Sequence, residues 1–211
     1  MTHVTMDLVR RALAAPRPGR SAQERMVPRP RPGDILPPPP EDPVREAGVL
    51  LLLYLTVQDL HFVLTRRTDT VATHKGQISL PGGMREPGET LEGTAVRETG
   101  EELGVDPTHI QLLGAPLTPL FIPVSGFWVT PFVGFCQDEP TFYAAPAEVI
   151  EVLQPSVEVL LDDALVQHEQ WEIRGERVQV PFFNIQGHKV WGATAMMLSE
   201  FSAMLRAQLE T

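Results

Sequence analysis

The sequence predicts an α/β protein, a mixed β-sheet with helices packed on it, and three observations lead there. From Val49 onward the chain turns to short apolar runs of strand length. One stretch, residues 90–103, repeats its apolar side chains at helical spacing, and a second, residues 191–209, does so again through Ala195, Leu198, Phe201 and Leu205. VLLLYLTV and HFVLTRR read as paired strands joined near Gln58 and Asp59. Residues 110–113, 127–136 and 149–153 follow as strands, and WEIR and RVQV form a hairpin on either side of Gly175 and Glu176.

The N-terminal part reads differently. Residues 1 to about 15 spell a short amphipathic helix through Val4, Leu8 and Leu13, and residues 16–43 hold ten of the 21 prolines. Proline fixes its own φ and disfavours helix in the residue before it, so this segment is expected to be an extended, semi-rigid arm. The expected organisation is a Pro-rich extension, residues 1–45, lying on a domain of residues 46–211. No function is assigned to the extension.

With 211 residues and 43% hydrophobic content, the chain suits one domain with a sizeable core. Its net charge of -10 argues against a nucleic-acid partner, whose affinity would come from a basic surface. It does not argue against a phosphate-rich small molecule, provided a metal or a few local cations offset the charge. The single cysteine, Cys136, excludes a disulfide within the chain; set in the apolar run PFVGFC, it reads as a small buried hydrophobe rather than a catalytic thiol. No apolar run approaches the roughly 20 residues that span a bilayer, so a cytoplasmic protein without membrane contact is expected. Oligomeric state, a homodimer included, is left open.

Chemistry concentrates in GGMREPGETLEGTAVRETGEELGV, residues 82–105. Glycines and prolines make its first part a loop, and Thr90 is the expected N-cap of the helix that follows, with Glu92 in the positive first turn. Leu91, Ala95, Thr99 and Leu103 recur every four residues and are expected to face the sheet. Glu98, Glu101 and Glu102 stand three and four apart on a neighbouring face, so their carboxylates are expected to converge as an oxygen cage for a hard cation. Arg97, four before Glu101, is expected to hold Glu89 or Glu101 in orientation. Like charges at spacing four cost roughly 0.2–0.5 kcal/mol, and Gly93 and Gly100 inside the helix cost about 1 kcal/mol each relative to alanine. Such losses are expected where a site, rather than helix stability, dictates the residues.

Gly83, Glu89, Arg97, Glu98, Glu101, Glu102 and Gly104, at these spacings, resemble the Nudix box. Seven fixed identities at fixed spacing arise by chance in such a chain with odds on the order of one in a million. Thr99 departs from the box, which has a bulky aliphatic residue there; the change falls on the sheet-facing stripe. The resemblance implies an α/β/α sandwich around a mixed sheet and hydrolysis of a nucleoside diphosphate linked to another group, with Mg2+ or Mn2+. It implies metal binding by Glu98, Glu102 and Glu101, with Arg97 and Glu89 orienting them. The general base is Glu101 in the first reading, with Glu148 and Glu151 of APAEVIEV as alternatives.

The stretch before the box resembles the coenzyme A pyrophosphatase branch of that family at Leu64, Thr65, Arg67, His74, Gly76, Gln77, Pro81, Gly82 and Gly83. PVSGFWVTPFVGF and VWGATAMML look like the same branch, so the likeness covers residues 46 to about 205. It departs at Thr68, Leu80 and Ala72, where the branch has serine, phenylalanine and arginine. The implied reaction splits coenzyme A into 3′,5′-ADP and 4′-phosphopantetheine. Arg66, Arg67, His74, Gln77, Gly82 and Gly83 are the candidate substrate contacts. A broader nucleoside-diphosphate hydrolase, acting on ADP-ribose or a nucleotide sugar, and a non-catalytic nucleotide-binding module are the alternatives.

Overall fold

The structure, a computed structural model, describes residues 3–30, 45–57, 59–68, 76–123, 125–173 and 175–210. Its main sheet is built on strand β1 (Arg45–Leu55), which runs parallel to β8 (Phe127–Cys136) and antiparallel to β2 (Leu60–Phe62) and β5 (Gly82–Met84). Antiparallel β6 (Ile110–Leu112) and β7 (Leu120–Ile122) flank β8. A smaller sheet joins β3 (Leu64–Arg67) to β4 (Ile78–Ser79) and β9 (Val149–Leu153). A third consists of β10 (Val166–Ile173), β11 (Glu176–Ile185) and β12 (His188–Trp191).

Alternation along β1 decides the layering. Leu50, Leu52 and Tyr54 project to one face, where they meet Ala95 and Leu103 of helix α3 (Leu91–Leu103). Leu51 and Leu53 project to the other and join Leu198, Phe201 and Leu205 of helix α4 (Gly192–Leu209). The result is the expected mixed sheet between helical layers, an α/β fold. One expected strand is divided: HFVLTRR breaks at Val63, its first half pairing with β1 and its second leaving for the smaller sheet. Among the described residues, no helix is long and apolar enough to cross a membrane.

The extended reading of residues 16–43 is corrected where that segment is described. Helix α1 (Met6–Ala14) is followed by a short helix, α2 (Arg20–Gln23), and a 3-10 turn over Glu24–Met26. The physical reason is the gap between prolines: residues 19–27 contain none, so their backbone amides are free to close helical turns. Val9, Ala12 and Met26 are fully buried in the same cluster as β1 and α4. Gln23 Nε2 donates to the Thr118 carbonyl at 2.8 Å and to Glu200 at 2.9 Å, and the Thr118 hydroxyl also donates to this fully buried carboxylate at 2.6 Å. Arg29 exchanges two backbone hydrogen bonds with Gln179 of β11, at 2.9 and 2.7 Å. The PPPP stretch lies outside the described residues.

If the leader is core, truncating it is costly. Leu13→Ala is expected to lower unfolding free energy by about 2–5 kcal/mol in urea denaturation, the cost of a buried leucine, whereas a surface arm would give a change within about 0.5 kcal/mol.

Candidate active site

Helix α3 forms for local reasons that the sequence shows. The Thr90 hydroxyl accepts the Gly93 amide at 3.1 Å, and Gly104 closes the far end in the left-handed region, at φ 69°, where a side chain would be strained. Its seating on the sheet depends on the absence of side chains beneath it. A Cβ on Gly48 of β1 would lie 2.3 Å from the Leu91 carbonyl oxygen, and one on Gly83 of β5 would lie 2.4 Å from Glu98 Cδ. The helix therefore lies close enough to bury the Glu102 carboxylate and to half-bury that of Glu98.

Glu102 is the deeper of the two, 2% exposed. Arg67 Nη1 of β3 is 3.7 Å from its Oε1, while among the described residues its buried Oε2 has no hydrogen-bond partner. Burial is the main cause that pushes Glu102 up to about 8; Arg67 and, more weakly, the Gly82 backbone amide oppose the shift, and the charges of Glu98 and Glu148 add to it. Burial also raises Glu98, against the pull of Arg97, whose Nη2 lies 2.9 Å from Glu98 Oε1.

Arg97 organises the helix face. Its Nε and Nη2 donate to the two oxygens of Glu89 at 2.7 and 3.2 Å. The Thr94 hydroxyl and the Glu86 amide also donate to Glu89 Oε2, at 2.9 and 3.1 Å. Arg97 foremost holds Glu89 down at about 2, and Glu89 in turn raises Arg97. The expectation that Arg97 orients Glu89 thus has its geometry.

The expectation of three converging carboxylates is corrected. Arg97 Nη1 takes Glu101 Oε2 at 3.0 Å on the exposed side of the helix. Among the described residues, Glu98, Glu101 and Glu102 do not form a group whose donor oxygens all lie within 4.8 Å. Two carboxylates turn inward and the third is claimed by the arginine one turn earlier. Glu148 lies near enough for its charge to act on both Glu98 and Glu102. Glu151 is engaged elsewhere, 3.6 Å from Arg66 Nη1 across the β3–β9 pair and 3.4 Å from His188 Nε2.

Of the candidate substrate contacts, Arg67 reaches the buried carboxylate and Arg66 pairs with Glu151. Gln77 accepts the Arg67 amide through its carbonyl at 3.1 Å. Gly82 packs on β1, a Cβ there lying 2.4 Å from the Gly48 carbonyl oxygen, and Gly83 makes room for Glu98. His74 and Ala72 lie outside the described residues. Sequence reasoning missed Gly48 and His188: a glycine in an apolar strand and a histidine in a C-terminal hairpin carry no local signal.

A cavity of about 590 Å³ lies at the C-terminal end of α3, lined by Asp106, His109, Asp138 and Glu139 among others. Neither Glu98 nor Glu102 lines it. The chemistry is read instead at Glu98, Glu102 and Arg67. These residues fit a divalent cation: a buried carboxylate oxygen without a partner is what such an ion would neutralise.

The NUDIX domain model matches residues 44–176. The uncharacterized Nudix hydrolase NudL of Photorhabdus laumondii subsp. laumondii is 32% identical over 175 residues, covering 81% of this chain and 92% of that protein. Nudix hydrolase 22, chloroplastic, of Arabidopsis thaliana is 36% identical over 162 residues, 73% of this chain and 53% of the plant protein, so the chain spans about half of it. Among solved structures, the MutT protein of Methanosarcina mazei Go1 aligns with a TM-score of 0.52 at 19% identity, over 81% of this chain and 99% of that one, a likeness of fold.

The burial of Glu102 predicts a pH signature without metal. Folded Glu102 keeps its proton up to about 8, whereas an ordinary glutamate loses it near 4.5, so its contribution to stability is present at low pH and is lost as pH rises through this window. In chelator, the melting temperature of Glu102→Gln relative to the parent is expected to rise between about pH 5 and about pH 8; a pH-independent difference would contradict the buried carboxyl.

Proposed function

Because the chain belongs to the Nudix hydrolase family, we propose that it is a metal-dependent pyrophosphatase that cleaves coenzyme A to 3′,5′-ADP and 4′-phosphopantetheine. The observation that carries the metal-dependent chemistry is the buried Oε2 of Glu102, which has no hydrogen-bond partner among the described residues, beside Glu98 and Arg67. Glu98 and Glu102 would hold the ion, Mg2+ or Mn2+. A bound ion of this kind supplies positive charge that offsets the diphosphate and lowers the pKa of nearby water.

The remaining work falls to the chain's own groups. Arg97, anchored by Glu89, fixes Glu98. Arg67, half free of its long contact to Glu102, is suited to a phosphate oxygen, and its planar guanidinium allows two parallel hydrogen bonds. Glu148 is favoured as the base that takes the proton of the attacking water, because its charge reaches both Glu98 and Glu102, whereas that of Glu101 reaches Glu98 and its carboxylate is tied to Arg97, and Glu151 is tied to Arg66. Arg66, His74 and Gln77 complete the proposed substrate contacts, and Gly82 and Gly83 the close approach of backbone.

Coenzyme A is preferred because Arg67, Gln77, Gly82 and Gly83 belong to the stretch that resembles the coenzyme A branch, and Arg67 of that stretch lies beside the inward Glu102. A second reading, hydrolysis of ADP-ribose or a related diphosphate, is favoured by Ala72, which removes a cation that the branch carries.

Purified protein with magnesium or manganese is expected to cleave coenzyme A faster than ADP-ribose and to release 3′,5′-ADP; the reverse order would favour the second reading. Glu98→Gln is expected to lower turnover at least about a hundredfold. Glu148→Gln should lower kcat by about 10²–10⁴ and Glu101→Gln by much less, as befits a base and a bystander; the opposite ranking would make Glu101 the base.

A further inference from the structure

The first described residue of the leader, His3, meets two carboxylates from distant parts of the chain. Its Nδ1 is 3.5 Å from Asp59 Oδ1 and 3.5 Å from Glu158 Oε1. The three donor atoms all lie within 4.8 Å of one another. None of these residues takes part in the diphosphate chemistry above.

The backbone that carries each donor is held by its own local structure, and the Glu158 carboxylate is held directly. His3 precedes Val4, which is 1% exposed, and Thr5, whose hydroxyl accepts the Leu8 amide at 3.3 Å and caps α1. The Val4 amide donates to Glu158 Oε1 at 2.9 Å, and the Ser156 hydroxyl donates to Glu158 Oε2, so this carboxylate is oriented from both sides. Asp59 sits in the β1–β2 turn, where its amide donates to the Thr56 hydroxyl at 3.1 Å and its carbonyl accepts the Thr56 amide at 2.9 Å.

One imidazole nitrogen and two carboxylate oxygens form a donor set that suits zinc. Bonds of about 2.0–2.2 Å at tetrahedral angles set donor atoms about 3.4 Å apart, close to both spacings from His3. The exposed side of the group, where His3 is 58% exposed, leaves a further position to water. We propose that His3, Asp59 and Glu158 form a second divalent-cation site, of zinc type, that fastens the leader to the β1–β2 turn.

The test uses the full chain carrying Glu98→Gln and Glu102→Gln, which removes the proposed cation ligands of α3. Calorimetric titration with zinc is expected to show one saturable site, and zinc to raise the melting temperature. Adding His3→Ala or Asp59→Asn, both at exposed side chains whose loss leaves the backbone bonds of the turn and the α1 cap intact, should each weaken zinc at least about tenfold. No saturable binding in the parent background, or undiminished affinity in either variant, overturns the site. Hydrolysis by His3→Ala alone is expected to match the unaltered chain, so failure here is distinguishable from failure of the diphosphate reading.

Discussion

Everything at the site follows from how closely α3 is allowed to approach the sheet. Gly48 and Gly83 present bare backbone to the helix, and a single methyl at either would collide with Leu91 or with the Glu98 carboxylate. That proximity buries Glu102 and half-buries Glu98, and desolvation is the leading cause of both raised carboxyl groups. A helix that buries acids in this way is badly designed for stability alone. On the proposed function, a cation would complete the missing half of the interaction.

Charge elsewhere on α3 is arranged so that this cost stays local. Arg97 serves three glutamates, and the division is unequal: Glu89 receives two hydrogen bonds, Glu98 a close ion pair, and Glu101 is drawn outward. Arg67 approaches Glu102 from the opposite side without fully satisfying it. The chain is acidic overall, so under the proposed function affinity for a phosphate-rich substrate would have to come from such local cations and a metal, since global attraction is lacking.

Signals confined to one element were legible in the sequence. Thr90 as N-cap, the Ala95, Thr99 and Leu103 stripe, and the limits of β8 and β9 follow from local propensity and periodicity. What escaped depends on contacts across the fold. Proline content suggested an extended arm, yet burial of Met26 and Gln23 against the α4 side of the core sustains helical turns in the short stretch free of proline. Spacing put Glu101 beside Glu98 and Glu102, but spacing cannot tell which carboxylate an arginine one turn earlier will hold. The preference for Glu148 over Glu151 likewise rests on β9 register and on His188, which arrives from a different sheet.

Manganese binding to the chain carrying His3→Ala, which lacks the proposed zinc-type site, tests the central claim most directly, read by paramagnetic resonance together with proton release. Saturable binding that expels a proton near neutral pH, as Glu102 gives up its own, and that is lost in Glu98→Gln and in Glu102→Gln, is the predicted result. Binding of undiminished affinity in both variants, with no proton released, would contradict the account.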